Sequence, residues 1–197
     1  MVDIANTVDF SKKGTVILSH YRSGSHYLQS AIALYARKNV DVMVLGEQNS
    51  LDWLTLQADA YCIVILNDPK VKAKLATQTR RVLNEFHVIK LEHRDIVRHF
   101  ISTLSWWNNN LEYKYHHNSE QPFTQAMVEY DINLVDRWKL ELSVLKKLKS
   151  HVQLDYSELQ SLSTPTLNWA PNTYNFTLSD MFTNADEIEK ALTTSRK

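Results

Sequence analysis

Short apolar runs alternate with amphipathic stretches along the chain, and this alternation predicts its secondary structure. Runs of four to six residues that are rich in β-branched side chains are typical of buried strands. Between them, apolar positions that recur every three or four residues predict helices. Strands that alternate with helices indicate a three-layer α/β/α fold around a mostly parallel sheet. The predicted strands cover 15–18, 40–45, 61–66, 87–91 and 152–156.

Start signals locate the helices between these strands. Pro69 suits the first position of a helix, and Asp95 is an N-cap residue directly before an apolar periodic stretch. Besides a helix that begins at Ser25, helices are predicted over 51–56, 69–86, 96–104, 124–150, 157–162 and 185–192.

The chain is predicted to form a single domain over residues 1–197, because no repeat or linker divides it. Residues 106–123 are polar and aromatic and are predicted to form an irregular insertion, a type of segment that often carries binding function. From about residue 163 the chain is rich in Thr, Asn and Pro, and we expect a loosely ordered tail there before the last helix.

Composition and charge narrow the class of protein. Apolar residues at 44% and charged residues at 22% are typical of a globular domain, and no apolar run approaches the ~20 residues of a membrane span. Equal numbers of basic and acidic residues, 22 each, argue against a nucleic-acid partner. The single cysteine, Cys62, excludes an internal disulfide. We also expect no leader segment and a cytoplasmic location.

The turn after the first predicted strand carries the most informative chemistry. Arg22, Ser23, Gly24 and Ser25 lie where a buried strand gives way to a helix. Helix N-termini present N–H groups and a positive dipole to an anion, and glycine lets the backbone approach it closely. An arginine adds a permanently charged donor. The alternative is that Ser23 or Ser25 only caps the helix.

Two motifs are absent from this turn. The nucleotide-kinase pattern G-x-x-x-x-G-K-[ST] would supply a lysine and a magnesium-binding hydroxyl, and the G-x-S-x-G elbow would supply a serine nucleophile. The sequence therefore favours anion binding at this turn without an evident metal ligand.

Two segments of the chain resemble sulfotransferases that use 3′-phosphoadenosine 5′-phosphosulfate (PAPS). Residues 16–28, with the core Arg-Ser-Gly-Ser, are similar to the family's 5′-phosphosulfate loop, and residues 88–102 are similar to its 3′-phosphate segment. In that second segment Arg94 follows a strand, and Ser102 lies two helical turns further on, so both side chains can reach one anion. The alternative is that Arg94 pairs with a nearby carboxylate and Ser102 bonds its own helix.

The resemblance implies a P-loop nucleotide-kinase-like fold and an enzyme, closer to the carbohydrate and bacterial sulfotransferases than to the cytosolic type. It implies transfer of a sulfuryl group from PAPS to a hydroxyl or amine of a carbohydrate or small molecule, without a metal, a nucleic acid or a membrane. Residues 106–123 would then face the acceptor. The implied PAPS-binding residues are Arg22, Ser23, Gly24, Ser25, His26, Tyr27, Arg94 and Ser102.

A base must take the proton of the acceptor. Glu47 follows the second predicted strand, which we expect to be adjacent to the Arg22 loop, and the resembling families often place a glutamate there. His20 and His26 are alternatives because histidine titrates near neutral pH. A weaker similarity covers 44–47 and the segment 154–159.

The chain also departs from the family. No glycine follows Gly46, so the glycine-rich C-terminal loop of the cytosolic branch is absent. Two other functions therefore stay open. One is a magnesium-dependent nucleotide or phosphate transferase of the P-loop kind, and the other is a phosphonucleotide-binding protein without catalysis.

Overall fold

The computed structural model describes residues 3–20, 23–36, 41–45, 61–65, 77, 79–107, 129–159 and 177–194. The chain divides into two compact units. Unit 1 comprises residues 1–94 and 143–169, and unit 2 comprises residues 95–142 and 170–197.

A parallel sheet forms the centre of unit 1, and it confirms the predicted α/β class. Within the described residues, the sheet has five strands in the order β2-β3-β1-β4-β5, and every neighbouring pair is parallel. All five residues of β1 are buried, as expected for the middle strand of a parallel sheet. The strands are β1 Thr15–Ser19, β2 Asp41–Leu45, β3 Tyr61–Ile65, β4 His87–Glu92 and β5 Val152–Asp155.

The expected adjacency of the second strand and the Arg22 loop is wrong. β3 lies between β2 and β1, so the strand that precedes Glu47 is two positions away from the strand that precedes Arg22. Apolar patterning identifies which residues form strands. It carries no information on the lateral order of parallel strands, because apolar runs of similar composition can pair in any order.

Helices flank the strands in chain order. The predicted helix 51–56 lies outside the described residues, as does half of the predicted helix 69–86. The described helices are α1 Ile4–Thr7, α2 Ser25–Ala36, α3 at 79–85, α4 Ile96–Trp107, α5 Ile132–Lys147, α6 Tyr156–Leu159, α7 Leu178–Met181 and α8 Ala185–Thr193.

One face of the sheet packs against α2. Ile17 and Leu91 of the sheet share a buried cluster with Leu28 and Ile32 of α2. The short helix α1, which the pattern does not predict, adds Ile4 to the same cluster. This packing fixes the N-terminus of α2 relative to the end of β1.

Helix ends follow their caps where a cap is present. The N–H of Arg98 donates to Asp95 Oδ1 at 2.9 Å, which confirms the predicted N-cap of α4. The predicted start of α5 at 124 is wrong, because the N–H of Asn133 donates to Asp131 Oδ1 at 2.9 Å and the helix begins at Ile132. Residues 129–131 are not helical, and 124–128 lie outside the described residues.

The buried Lys90 of β4 accounts for the early end of α5. Its Nζ donates to the carbonyl oxygens of Lys146 at 3.0 Å and Leu148 at 3.4 Å. The last carbonyl groups of a helix have no intrahelical partner, so a cation placed there satisfies them. The helix therefore ends at Lys147, where the sequence predicts it to continue to residue 150.

Unit 2 has its own hydrophobic core, and that core includes part of the predicted tail. Buried side chains of α4, α5, α7 and α8 form it, among them Phe100, Trp138, Leu178, Ile188 and Leu192. Residues 177–194 are thus packed rather than loose. The sequence pattern does not predict α7, because a helix of four residues is too short to show a periodic apolar face.

Helix α4 extends into the segment that the sequence predicts to be irregular. Trp106 and Trp107 end α4, so the predicted insertion 106–123 starts inside a helix, and residues 108–123 lie outside the described ranges. Within the described ranges, no helix is both long and apolar enough to span a bilayer.

Candidate functional site

The sheet order of unit 1 identifies one edge where a ligand can bind. From β1 the chain runs toward β2 on one side, and from β4 it runs toward β5 on the other. β1 and β4 are hydrogen-bonded neighbours, with Ser19 opposite Leu91. In open α/β sheets, ligands bind outside the carboxyl ends of two such strands, where the connections diverge. The segments after β1 and β4 are therefore neighbours at this edge.

The segment after β1 is closed by a serine hydroxyl. Ser23 is fully buried, and its Oγ donates to the carbonyl oxygen of His20 at 2.6 Å. The Ser23 hydroxyl thus closes the turn. The alternative that Ser23 or Ser25 caps α2 stays a prediction. Ser25 is buried and begins α2. The N-terminus of α2 accordingly lies at the carboxyl end of β1.

Gly24 is required in this turn for two reasons. Its φ is +85°, a conformation that residues with a Cβ adopt rarely. A Cβ on Gly24 would also lie 2.7 Å from Tyr156 Cδ2 and 3.1 Å from Leu159 Cδ1. The start of α6 therefore packs directly on the turn after β1.

Tyr156 also contacts the segment after β4. Its ring stacks on that of His93, with centroids 4.7 Å apart and an angle of 11° between the planes. One side chain thus touches the two segments that flank the divergence point. The sequence marks 154–159 only by a weak similarity, and this contact depends on the pairing of β4 with β5.

Arg94 follows β4 and is held by its neighbour strand. Its N–H donates to Asp155 Oδ2 at 2.8 Å, and its Nε lies 3.8 Å from the same oxygen. The expected alternative, a pairing of Arg94 with a carboxylate, is therefore present. The Arg94 side chain is nevertheless 81% exposed, and a guanidinium has five N–H donors. Its outer donors can bind a further anion while Asp155 holds the inner edge.

Asp155 is ionised in this arrangement. Burial by itself raises the pKa of Asp155, but hydrogen bonds from the Ser157 hydroxyl, the Ser157 N–H and the Arg94 N–H outweigh it and leave the pKa below its usual value. The Asp155 N–H in turn donates to Glu158 Oε2 at 2.6 Å. Sequence reasoning missed Asp155, because its role depends on the register that places it opposite Glu92.

The other predicted site residues differ in burial and in the element on which they lie. His20 is buried at the end of β1, His26 is exposed in the first turn of α2, and Tyr27 is half-buried against the core. Ser102 lies on α4 in unit 2, and its joint role with Arg94 stays a prediction. Arg22 and Glu47 lie outside the described residues.

Among the described ranges, no set of three or more His, Cys, Asp and Glu side chains is arranged to hold a metal ion.

Comparisons of the chain with family models, with curated proteins and with solved structures give no match in any of the three.

Proposed function

We propose that this chain is a PAPS-dependent sulfotransferase with a P-loop nucleotide-kinase-like fold. One observation carries the proposal: the turn at Ser23–Ser25 and the exposed cation Arg94 flank the point where the connections of the sheet diverge. A ligand with two separate anionic groups is suited to this arrangement. Because both segments resemble PAPS-binding segments, the ligand that we propose is PAPS.

The two segments would bind opposite ends of the donor. The 5′-phosphosulfate would lie at the N-terminus of α2, where Gly24 allows the backbone to come close. The 3′-phosphate would bind the guanidinium of Arg94, and the Asp155 carboxylate would keep that guanidinium in place.

The reaction would be an in-line transfer. The acceptor oxygen or nitrogen attacks the sulfur, the bond from sulfur to the bridging phosphate oxygen breaks, and adenosine 3′,5′-bisphosphate leaves with the charge. Arg22 would neutralise the charge that develops on the leaving oxygen, and Glu47, His20 or His26 would take the acceptor proton. The protein would act mainly through positioning and prearranged electrostatics.

Thermal unfolding with adenosine 3′,5′-bisphosphate tests this proposal. At about 100 times its dissociation constant, a ligand adds about 2.7 kcal/mol to the free energy of unfolding, which shifts the Tm of a chain of this size by roughly 5–10 °C. We expect this shift with the bisphosphate and a much smaller one with adenosine 5′-monophosphate at the same concentration.

Arg94→Ala assigns the 3′-phosphate contact. We expect this variant to bind the bisphosphate and the 5′-monophosphate alike, because loss of a charge-assisted contact costs about 1.5–3 kcal/mol. Arg137→Ala is the matched control, since Arg137 is an exposed arginine of α5 that pairs with Glu141. An unchanged preference in Arg94→Ala rejects the assignment.

Two further outcomes would favour the other functions. A magnesium-dependent shift with a nucleoside triphosphate, and none with the bisphosphate, indicates a phosphate transferase of the P-loop kind. Binding of PAPS without its consumption, across alcohols, phenols, sugars and amines, indicates a phosphonucleotide-binding protein.

A further inference from the structure

The hydroxyl of Ser19 is buried without a partner at the end of β1. Ser19 is 1% exposed, and its Oγ forms no hydrogen bond with any residue that the structure describes. A buried donor without a partner costs free energy, so native proteins contain few of them. Because this group lies at the carboxyl edge of a parallel sheet, where ligands bind, we expect a ligand to accept its hydrogen bond.

Strand alternation directs this hydroxyl toward the N-terminus of α2. Side chains two residues apart on a strand point to the same face. Ile17 packs in the cluster that contains Leu28 of α2, so Ser19 lies on the α2 face, one position nearer the carboxyl edge. The Ser23 hydroxyl is already bonded to the carbonyl of His20, which leaves the Ser19 hydroxyl as a donor at this point.

We propose that Ser19 donates its O–H to a tetrahedral oxyanion bound at the N-terminus of α2. This inference rests on the proposed function and deepens it, because it adds a neutral donor from the strand to the N–H groups and arginine of the loop. The oxyanion is the phosphosulfate of the donor, or the 5′-phosphate of the product. A hydrogen bond to an anion is stronger than one between neutral groups, which offsets the cost of keeping the hydroxyl without a partner in the free protein.

The substitution Ser19→Ala has opposite effects on stability and on binding under this proposal. The free protein should be as stable as the parent or more stable in urea unfolding, since no hydrogen bond is lost and a buried polar atom is removed. Affinity for adenosine 3′,5′-bisphosphate should fall about tenfold to a hundredfold in calorimetry. Ser19→Cys keeps the size of the side chain with a weaker donor, and its affinity should lie between the two.

Thr15→Val is the matched control. Thr15 lies on the same face of the same strand, is also buried, and stands at the opposite end of β1. Its affinity for the bisphosphate should equal that of the parent. A merely structural role of Ser19 would instead lower stability and leave affinity unchanged, and that result overturns the inference.

Inorganic sulfate separates this inference from the proposed function. If the parent binds sulfate but not the bisphosphate, and Ser19→Ala weakens sulfate binding, the role of Ser19 stands and the sulfotransferase proposal fails. If the parent binds the bisphosphate and Ser19→Ala binds it equally well, only the role of Ser19 fails. A parent that binds neither compound overturns both.

Discussion

At Gly24, both the backbone conformation of the turn and the packing of α6 require a residue without a side chain. The left-handed conformation costs a residue with a Cβ about 1–2 kcal/mol, and overpacking against a ring typically costs about 1–3 kcal/mol more. We therefore expect Gly24→Ala to lower the free energy of unfolding by about 2–5 kcal/mol, measured in urea, since its Cβ would meet Tyr156 at 2.7 Å.

A double-mutant cycle separates the two causes at Gly24. Tyr156→Ala removes the nearest atoms that the new Cβ would meet and leaves Leu159 Cδ1 at 3.1 Å. Gly24→Ala should therefore cost less in that background, close to the conformational part of about 1–2 kcal/mol. Additive effects of the two substitutions would show that the contact between Gly24 and Tyr156 is absent in solution.

At the scale of elements, two histidines lie at the amino ends of β4 and β5. This is the edge of the sheet opposite to the carboxyl edge that carries the candidate site. The rings of His87 and His151 stack with centroids 5.1 Å apart, and His151 Nδ1 accepts a hydrogen bond from the N–H of Val88 at 2.9 Å. Burial lowers the pKa of His87, and the neighbouring His151 and Lys12 lower it further, while Asp9 and the Thr7 backbone act in the opposite direction. His87 is thus kept neutral in the folded state.

Because His87 is kept neutral, we expect the folded protein to lose stability in mild acid. The folded-state pKa of His87 lies below its usual value of 6.5, so the unfolded chain binds a proton more readily as the pH falls. The contribution of His87 to stability is complete above pH 6.5, decreases as the pH falls through 6.5 toward the folded-state pKa, and is constant below it. Urea unfolding between pH 7.5 and pH 5 measures this slope.

His87→Phe should flatten that slope, because phenylalanine keeps an aromatic ring beside His151 without a titrating group. Asp9→Asn should steepen it, since the Asp9 carboxylate is the charge that raises the pKa of His87. Asp9 itself has a pKa below 3.8, because the Ser11 hydroxyl and N–H donate to it, so it does not titrate in this range. An unchanged slope in both variants would assign the pH dependence to other groups.

At the scale of the whole molecule, sequence patterns locate the strands and the turn after β1 but not the contacts between distant segments. A buried strand is recognisable from its own residues, which is why β1 and β4 are found within one residue of their ends. The link between Asp155 and Arg94 depends on which strands pair and in which register. The distances between contacting segments are set by tertiary packing, and no local pattern encodes them.

The order of the strands also bears on which residue would take the acceptor proton. Neighbouring strands lie about 4.8 Å apart, so with β3 in between, the end of β2 is roughly 10 Å from the end of β1. Glu47 follows β2 by two residues, a length of chain that can cover much of this distance. His26, in the first turn of α2, needs no such span.

Glu47→Gln decides between these bases. If Glu47 takes the acceptor proton, the variant should bind adenosine 3′,5′-bisphosphate as the parent does while turnover of PAPS falls about 10²–10⁴-fold, the usual contribution of a general base. Asp41→Asn is the matched control, because Asp41 begins the same strand at the opposite edge of the sheet and should leave turnover unchanged. Full turnover in Glu47→Gln together with its loss in His26→Gln would move the role to α2, since an imidazole there is next to the loop that would hold the sulfuryl group.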